Sequence, residues 1–441
     1  FSNGESAQEV SQNNTQTTDN LSYSGTITYT EPLGKRKYLE GNYTFRQNLN
    51  DVDRLVYDVN SGEPIFNEAL SNQYNSDYQY HRTGLNFRIN RSKYNFVVGG
   101  SLQQTLLNGE LETLDTKISK SYQNILPVMR FNYDFSDTRH LEFEYETSVQ
   151  EPTIQQLQPV IDNSDPLNLY VGNPNLRPAY EHRWEVRTNI FNPVSFINFF
   201  SYVQATYTRN AITNAQSYTE RQERITMPVN VKDNKRITGN ASFGFPIDKI
   251  SSRIGLTGNA THQVSSNVID GTVSDITQTA ISGRVRYDYH YKEIFDLGLS
   301  GEVSKQVTAY AFDEQADQQY LNKTFTADAN LQFLKNYQAS SSFEYLVFES
   351  FGNEYKQTLP FLNASLSRFL LKAKSGELRF SVNNILDQKT MVSQSADINY
   401  FQRQQTNSLG RYYMVSFIYA LNKQLNPMGM RGKGGMIRIM R

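Results

Sequence analysis

The chain has 441 residues, of which 38% are hydrophobic and 13% aromatic, with 29 Tyr and 26 Phe against one Trp, and its formal net charge is −1. Low hydrophobicity with this many aromatics excludes a disordered chain, the near-neutral charge removes the global field that draws nucleic acid, and the lack of cysteine excludes disulfides and thiolate metal sites. No apolar run approaches the roughly 18–20 residues of a membrane helix, so the aromatic residues belong to faces of some other element.

The first twenty residues carry neither the basic region nor the apolar core of a signal peptide and read as a polar loop. A first strand is expected at about 21–30, ending in the turn "EPLGKRK" (31–37). Period-two alternation then recurs along the chain. "PVMRFNYDF" (127–135) sets Met129, Phe131, Tyr133 and Phe135 against Arg130, Asn132 and Asp134. "HLEFEYE" (140–146) sets Leu141, Phe143 and Tyr145 against Glu142, Glu144 and Glu146. "RVRYDYHY" (284–291) and "ELRFSVNN" (377–384) repeat the pattern. Apolar residues at i+2 rather than i+3 or i+4 specify half-buried strands. About 17 strands are expected, many longer than the roughly 9–11 residues that cross a bilayer.

Short turns rich in Asn, Asp, Gly, Pro and Lys fall at 31–37, 90–93, 135–140, 191–195, 246–251, 290–296, 334–338 and 371–377. Longer polar stretches lie between them, at 50–72, 107–121, 150–176 and 388–407. Short turns on one side and long loops on the other point to an all-β, transmembrane antiparallel β-barrel, its aromatic face toward lipid and its charged face toward a wet interior. A soluble propeller would repeat a signature every roughly 40–50 residues, and a sandwich would not band its outer face with Tyr and Phe.

With the short turns periplasmic, the first strand and the last (410–422) both descend, so the strand count is odd. Single-chain bacterial barrels have even counts. The expectation is therefore a C-terminal barrel part, residues 1–423, of a larger barrel of 22 strands, the size of plugged transporters, followed by a periplasmic tail, 424–441.

Residues 150–214 carry a resemblance. "YETSVQEPTIQQLQPVIDNSDPLNLYVGNPNLRPAYEHRWEV", with its "GNPNLRP" core (172–178), resembles the barrel of TonB-dependent outer-membrane receptors, in the form typical of the Bacteroidota "outer membrane protein beta-barrel family". "MPVNVKDNKRITGNASFGFPI" (227–247), and "VNNILDQK" (382–389) followed by "LGRYYMVSFIYALNK" (409–423), are similar to later strands of that family. The resemblance covers essentially the whole chain. It implies an N-terminal plug, a TonB box and energy-dependent import through the TonB machinery, none of which the present residues contain. Its motifs are architectural and name no ligand.

The five histidines, His81, His140, His182, His262 and His290, show no metal-ligand spacing, and no nucleophile elbow, phosphate loop or dinucleotide fingerprint occurs. No catalytic residue, metal or cofactor is expected. On the polar face, Arg130 on the fifth strand, Glu142, Glu144 and Glu146 on the sixth, and Arg183, Glu185 and Arg187 on the seventh would meet across neighbouring strands. They form either a structural charge ladder or a polar wall for a plug or a ligand path. Loop 150–176, with Asp162, Asp165, Tyr170 and Asn173, is the candidate extracellular contact for a ligand or partner. Asp162, Asn163 and Asp165 offer oxygen ligands of the kind Ca²⁺ takes, at a spacing unlike an EF-hand loop. The Tyr/Asn/Gln-rich loop 394–407 suits a glycan, a peptide or plain solvation. Pro174 and Pro178 suit the end of a loop, and Trp184 is placed near the outer interface. The tail carries Arg431, Lys433, Arg438 and Arg441 and no acid, and would be free or dock on a periplasmic partner or the barrel mouth.

Three functions follow in order: a receptor that imports a specific ligand, a receptor-like barrel serving as a structural subunit of an outer-membrane assembly or secretion complex, and a passive porin. The expected partners are outer-membrane lipid, the TonB machinery, and a surface lipoprotein or other complex subunits, with no nucleic acid.

Overall fold

A computed structural model describes residues 11–420, apart from 60–62, 69, 113–115, 163–164, 166, 221–222, 312–316, 352–354, 372–373 and 397–400. The tail 424–441, with Arg431, Lys433, Arg438 and Arg441, lies outside the described residues, as does Asn163. Of the 24 strands among the described residues, seventeen have eight residues or more. They are β1 (Gln12–Gly34), β2 (Lys37–Asp58), β3 (Asn72–Asn90), β4 (Tyr94–Leu111), β5 (Thr116–Ser136), β6 (Arg139–Gln150), β7 (Ala179–Phe191), β8 (Asn198–Arg209), β9 (Asp233–Ile247), β10 (Ser252–Ile269), β11 (Thr272–Tyr291), β12 (Phe295–Tyr310), β13 (Gln318–Phe333), β14 (Tyr337–Ser350), β15 (Tyr355–Leu370), β16 (Gly376–Asn383) and β17 (Tyr412–Tyr419). The seven shorter strands lie in the connections.

The short turns fall at the expected places, each at the near end of the strand pair it joins, with residues 372 and 373 of the last outside the described residues. Lys35 and Arg36 form the first, both in the left-handed region with φ of 49° and 57°. Such two-residue turns match the right-handed twist of the strands they join. The opposite, distal end differs from expectation in three respects. Residues 12–20 are not a loop but the distal half of β1, paired in register with 50–58 of β2. The stretch 107–121 is mostly strand, with β4 and β5 paired out to Leu111 and Thr116. β10 and β11 are joined by Asp270 and Gly271 alone, with φ of 46° and 77°, a conformation for which glycine has no steric penalty. The asymmetry between the two ends therefore lies largely in strand length. Polar strands satisfy their backbone donors and acceptors by pairing with each other, so they extend well past the roughly 9–11 residues a bilayer requires.

The chain divides into two compact units. The first comprises Phe1–Arg187, Gln204–Ile237 and Gln263–Ile276. In it β1 to β6 pair antiparallel, each with the next. Phe96, Phe131, Tyr133 and Phe135 form a continuous run of ring contacts on one face. Tyr145, His182 and Trp184 stack on the same face, with centroids 5.5–6.1 Å apart. The second unit comprises Thr188–Val203, Thr238–His262 and Thr277–Arg441, and in it β12 to β17 pair antiparallel in the same manner. Exposed apolar residues (Leu299, Phe325, Leu378, Phe380 and Phe417) alternate with polar ones such as Glu377, which is 2% exposed and bonded to Arg379 Nε and Ser367 Oγ at 2.7 Å.

The motif "VNNILDQK" closes the link from β16 to β17. Asn384 is 6% exposed and left-handed (φ 53°). Its amide donates to the carbonyls of Gln388 (2.7 Å) and Leu409 (2.9 Å), its side-chain oxygen accepts from Gln388 N (2.9 Å), and its own N–H donates to Asn363 Oδ1 (2.8 Å). One side chain thus holds both arms of the link. We expect Asn384→Ala to lower stability by about 1–3 kcal/mol, read as a lower urea midpoint for barrel unfolding. Beside it, Asp387 Oδ1 accepts the Arg411 backbone N–H at 2.8 Å. That bond, with the Lys389 and Arg411 charges, holds the Asp387 carboxyl below the usual carboxylate range. A depressed carboxylate contributes stability that is present above its unfolded pKa of about 3.9 and lost as pH falls through the lower folded value. The urea midpoint of the wild type should therefore fall more steeply below pH 4 than that of Asp387→Asn.

Candidate functional site

The polar face of β5 to β7 carries a ladder of ion pairs in the first unit. Arg130 stands directly opposite Glu144 in the β5–β6 register, and its Nε reaches Glu144 Oε1 at 2.7 Å. Arg183 Nη2 reaches Glu146 Oε2 at 2.5 Å, and Arg187 reaches Glu142 at 3.5 Å as well as pairing with Glu185. Alternation alone places all of these on the face opposite Phe131, Phe143 and Trp184. Each pair is part-exposed, so its contribution to strand pairing is a few tenths to about 1 kcal/mol.

Beyond the ladder, toward the distal end, the same face becomes apolar. Leu107 and Leu111 on β4 and Ile118 on β5 are 3%, 0% and 8% exposed. What covers them is the connection between β6 and β7. Its helix α1 (Ile154–Leu157) begins at a capping box, in which the Thr153 side chain accepts from Gln156 N and the Gln156 side chain accepts from Thr153 N. Ile154 and Leu157 face Leu107, Leu111 and Ile118, and Leu176 joins the same cluster, with Tyr74 and Tyr78 packed around it. Burying a Leu or Ile in this way contributes about 1.5–3 kcal/mol. Glu151 anchors the start of the segment: its carboxylate accepts from Thr105 Oγ1 (2.7 Å), Gln103 Nε2 (2.8 Å) and the Tyr78 hydroxyl (3.2 Å). The connection therefore folds onto the polar face of the wall and does not project as a free loop.

The loop residues singled out in the sequence all lie in or beside this folded segment. Asp162 pairs with Arg54 of β2, which is 6% exposed. Asp165 accepts the N–H of Leu167 at 3.1 Å and the Asn168 side-chain amide at 2.5 Å, closing a local turn. Asn173 donates to Pro228 O at 3.1 Å and accepts from Asn175 N at 3.0 Å. Tyr170 lies in the short strand Asn168–Val171, which pairs in parallel with the start of Arg224–Asn230, and burial raises its pKa. The four residues thus hold the segment together, and among the described residues no group of three or more His, Asp or Glu is placed to hold a metal. Asn163 is not described, so the Asp162–Asn163–Asp165 idea is left at two acids engaged elsewhere.

The hairpin Ile212–Tyr218 and Arg224–Asn230 completes the cap, and nothing in the alternation pattern singled it out. Its Ala215 and Gln216 pair in parallel with Val268 and Ile269 of β10. Asn230 joins it to "GNPNLRP": its side-chain oxygen accepts from Arg177 N at 2.8 Å, and its amide donates to Arg177 O and Asn210 O, each at 2.9 Å. Arg54, Glu151, Gln158 and Asn230 are the residues that sequence reasoning missed. Arg54 had a signal, since "DVDRLVYD" puts an arginine between Val52 and Val56 on one face, and those two valines are buried beside it.

Gly172 shows how closely the segment is folded. A Cβ there would lie 2.7 Å from Gln155 O and 2.9 Å from Gln156 O, and closer still to Gln158 O. These are backbone atoms and cannot swing aside. We expect Gly172→Ala to displace the segment at a cost of about 1–3 kcal/mol, seen as faster proteinase K cleavage within 151–176 while the strands stay protected.

The sequence profile of the "Outer membrane protein beta-barrel family" matches residues 1–419. No curated protein sequence matches the chain. Among solved structures it is similar to the copper transporter OprC, at 9% identity over 90% of this chain and 74% of that one, with a TM-score of 0.44. It is also similar to the ferric yersiniabactin uptake receptor FyuA from Yersinia pestis, at 8% identity over 94% and 80%, with a TM-score of 0.37. A third is the open form of the ferric-catecholate import receptor Fiu from E. coli K12, at 9% identity over 94% and 82%, with a TM-score of 0.31. With a profile that spans nearly every residue and a wall of alternating antiparallel strands, the chain belongs to the outer membrane protein β-barrel family, and its place is the bacterial outer membrane.

Proposed function

We propose that this protein is the barrel part of an outer-membrane receptor that imports a specific ligand, driven by the TonB machinery through the N-terminal part of the receptor. It acts by binding and transport, not by catalysis. The tight turns face the periplasm, the distal end faces the outside, the aromatic face meets lipid and the ion-pair face meets the lumen. The residues 1–423 are barrel and 424–441 a periplasmic tail in this reading.

The observation that supports the reading is the inward-folded segment 151–176. It packs Ile154, Leu157 and Leu176 against the lumen face of β4 and β5. The cover makes part of that wall a shaped, pre-formed surface of the kind a ligand site requires. Below it the paired charges form a wall with hydrogen-bonding capacity to spare. Each carboxylate has two oxygens, and the Arg130 and Arg183 pairs use one oxygen each of Glu144 and Glu146.

Uptake measured before growth separates this from a purely structural role. Glu144→Ala leaves Arg130 without its partner while removing no more than about 1 kcal/mol of strand pairing. We expect ligand uptake to fall several-fold with heat-modifiability of the barrel unchanged. Unchanged uptake in an equally stable barrel would leave the ladder a structural device only. Uptake that persists after the membrane is de-energised would refute TonB-driven import.

A further inference from the structure

A groove of about 560 Å³ crosses β1 to β4 on the aromatic face of the wall, and Ile27, Tyr29, Gly41, Tyr43, Leu85 and Gly100 are among the residues that line it. Tyr29, Gly41, Leu85 and Gly100 stand in one row across the four strands. Ile27 and Tyr29 are 73% and 67% exposed, so the groove is open on its outer side. Gly41 sets its depth. A Cβ there would meet nothing within 4 Å, and the backbone is not left-handed, so neither conformation nor a protein neighbour requires glycine at that position.

Toward the tight turns the groove leads to a cationic rim. Alternation puts Leu39 and Lys37 on the same face as Gly41, and four residues of strand place Lys37 about 13 Å from it. That is less than the roughly 15 Å of hydrocarbon in one leaflet. The first two turns, 31–37 and 90–93, carry Lys35, Arg36, Lys37, Arg91 and Lys93 against one acid, Glu31. The turns are tied together: Asn90 N donates to Arg36 O at 2.9 Å, and Arg91 Nη1 donates to Lys35 O. Glu31 accepts the Tyr29 hydroxyl at 2.5 Å, and Asp134, beside Lys93, pairs with His140 at 2.6 Å. None of the five cations is ion-paired among the described residues.

Cations clustered at a membrane surface attract anionic headgroups. Arg holds phosphate through paired N–H donors, and a Lys on an apolar face carries its charge to the interface along its own stem. The groove asks for an apolar chain and the rim for an anion. A phospholipid carries both on one backbone, at about the separation of Gly41 and Lys37. A zwitterionic headgroup brings its own cation and matches the rim less well.

We propose that this face binds one anionic diacyl phospholipid, its phosphate at the first two turns and one acyl chain in the groove at Gly41. The proposal rests on the reading above that the aromatic face meets lipid and the turns face the periplasm, and it adds a lipid class. It is tested by native mass spectrometry of the full-length receptor in detergent, titrated with dioleoyl phosphatidylglycerol or with dioleoyl phosphatidylcholine, which has the same chains and no net charge. Retention of one phosphatidylglycerol per receptor is expected at concentrations where phosphatidylcholine is not retained. Lys35→Asn, Arg36→Asn and Lys37→Gln together should weaken that retention about 10-fold or more, and Asn tolerates the left-handed backbone of the turn. Gly41→Leu fills the groove without changing charge. It should weaken retention several-fold, and it decides the matter if the triple variant does not fold. Equal retention of the two lipids, or of phosphatidylglycerol by wild type and folded variants, would mean an ordinary lipid-facing surface and overturn the proposal. Orientation is scored separately, with Ser92→Cys adding a thiol to a chain that has none. Its labelling in intact cells by a PEG-maleimide too large for porins would refute periplasmic turns and leave the lipid site standing, whereas lipid indifference without labelling refutes the site alone.

Discussion

Arg130 faces Glu144, and Phe131 faces Phe143, because β5 and β6 pair in one register and no other. Slipping that register by one residue would turn every carboxylate toward the aromatic side and every ring toward the charges. In a membrane such a slip is doubly unfavourable, since lipid offers no hydrogen bond to a misplaced polar group. The two-residue turn at Lys35 and Arg36 sets the first register at the periplasmic end in the proposed orientation. From there 22 residue pairs join β1 to β2, with one irregularity between Pro32 and Gly34.

Once the faces are set, the wall has two problems at its distal end, and one device answers both. In the proposed orientation the strands continue above the membrane, where their lumen face is free to become apolar, with Leu107, Leu111 and Ile118. An apolar patch in a wet interior requires a cover, and the segment 151–176 supplies it. The segment in turn has backbone and side-chain polar groups to satisfy. The capping box at Thr153, the Glu151 network and the Asn230 bridge satisfy most of them. Those left over include Arg54 Nε, Asn72 Oδ1 and Gln158 Nε2.

The motif "GNPNLRP" is a case where a sequence signature and its physical task can be matched residue by residue. Gly172 lies against three carbonyl oxygens of the segment, Asn173 holds the hairpin through Pro228, Leu176 enters the core cluster, and the Arg177 backbone is clamped by Asn230. It is an architectural joint between cap and wall. "VNNILDQK" does the same for the last two strands through Asn384. Both motifs identify the family because they solve problems of chain geometry, and for the same reason neither specifies a ligand.

Alternation made the strands, the eight tight turns and both faces legible from the sequence, including which charges would oppose each other on β5, β6 and β7. A period of two is a local property: each residue's face follows from its neighbour's, so no distant contact is required to read it. The distal end was not legible in this way. Residues 12–20 looked like a polar loop and are strand, 107–121 looked like a loop and is a paired hairpin tip, and 150–176, read as a long polar loop, packs onto the wall through Ile154, Leu157 and Leu176. Polar strands outside lipid lack the apolar half of the pattern, and an inward fold depends on residues as far apart as Leu107 and Leu176, or Arg54 and Asp162. Only the tertiary structure brings those together, because their attraction is to surfaces that exist only after the wall has formed.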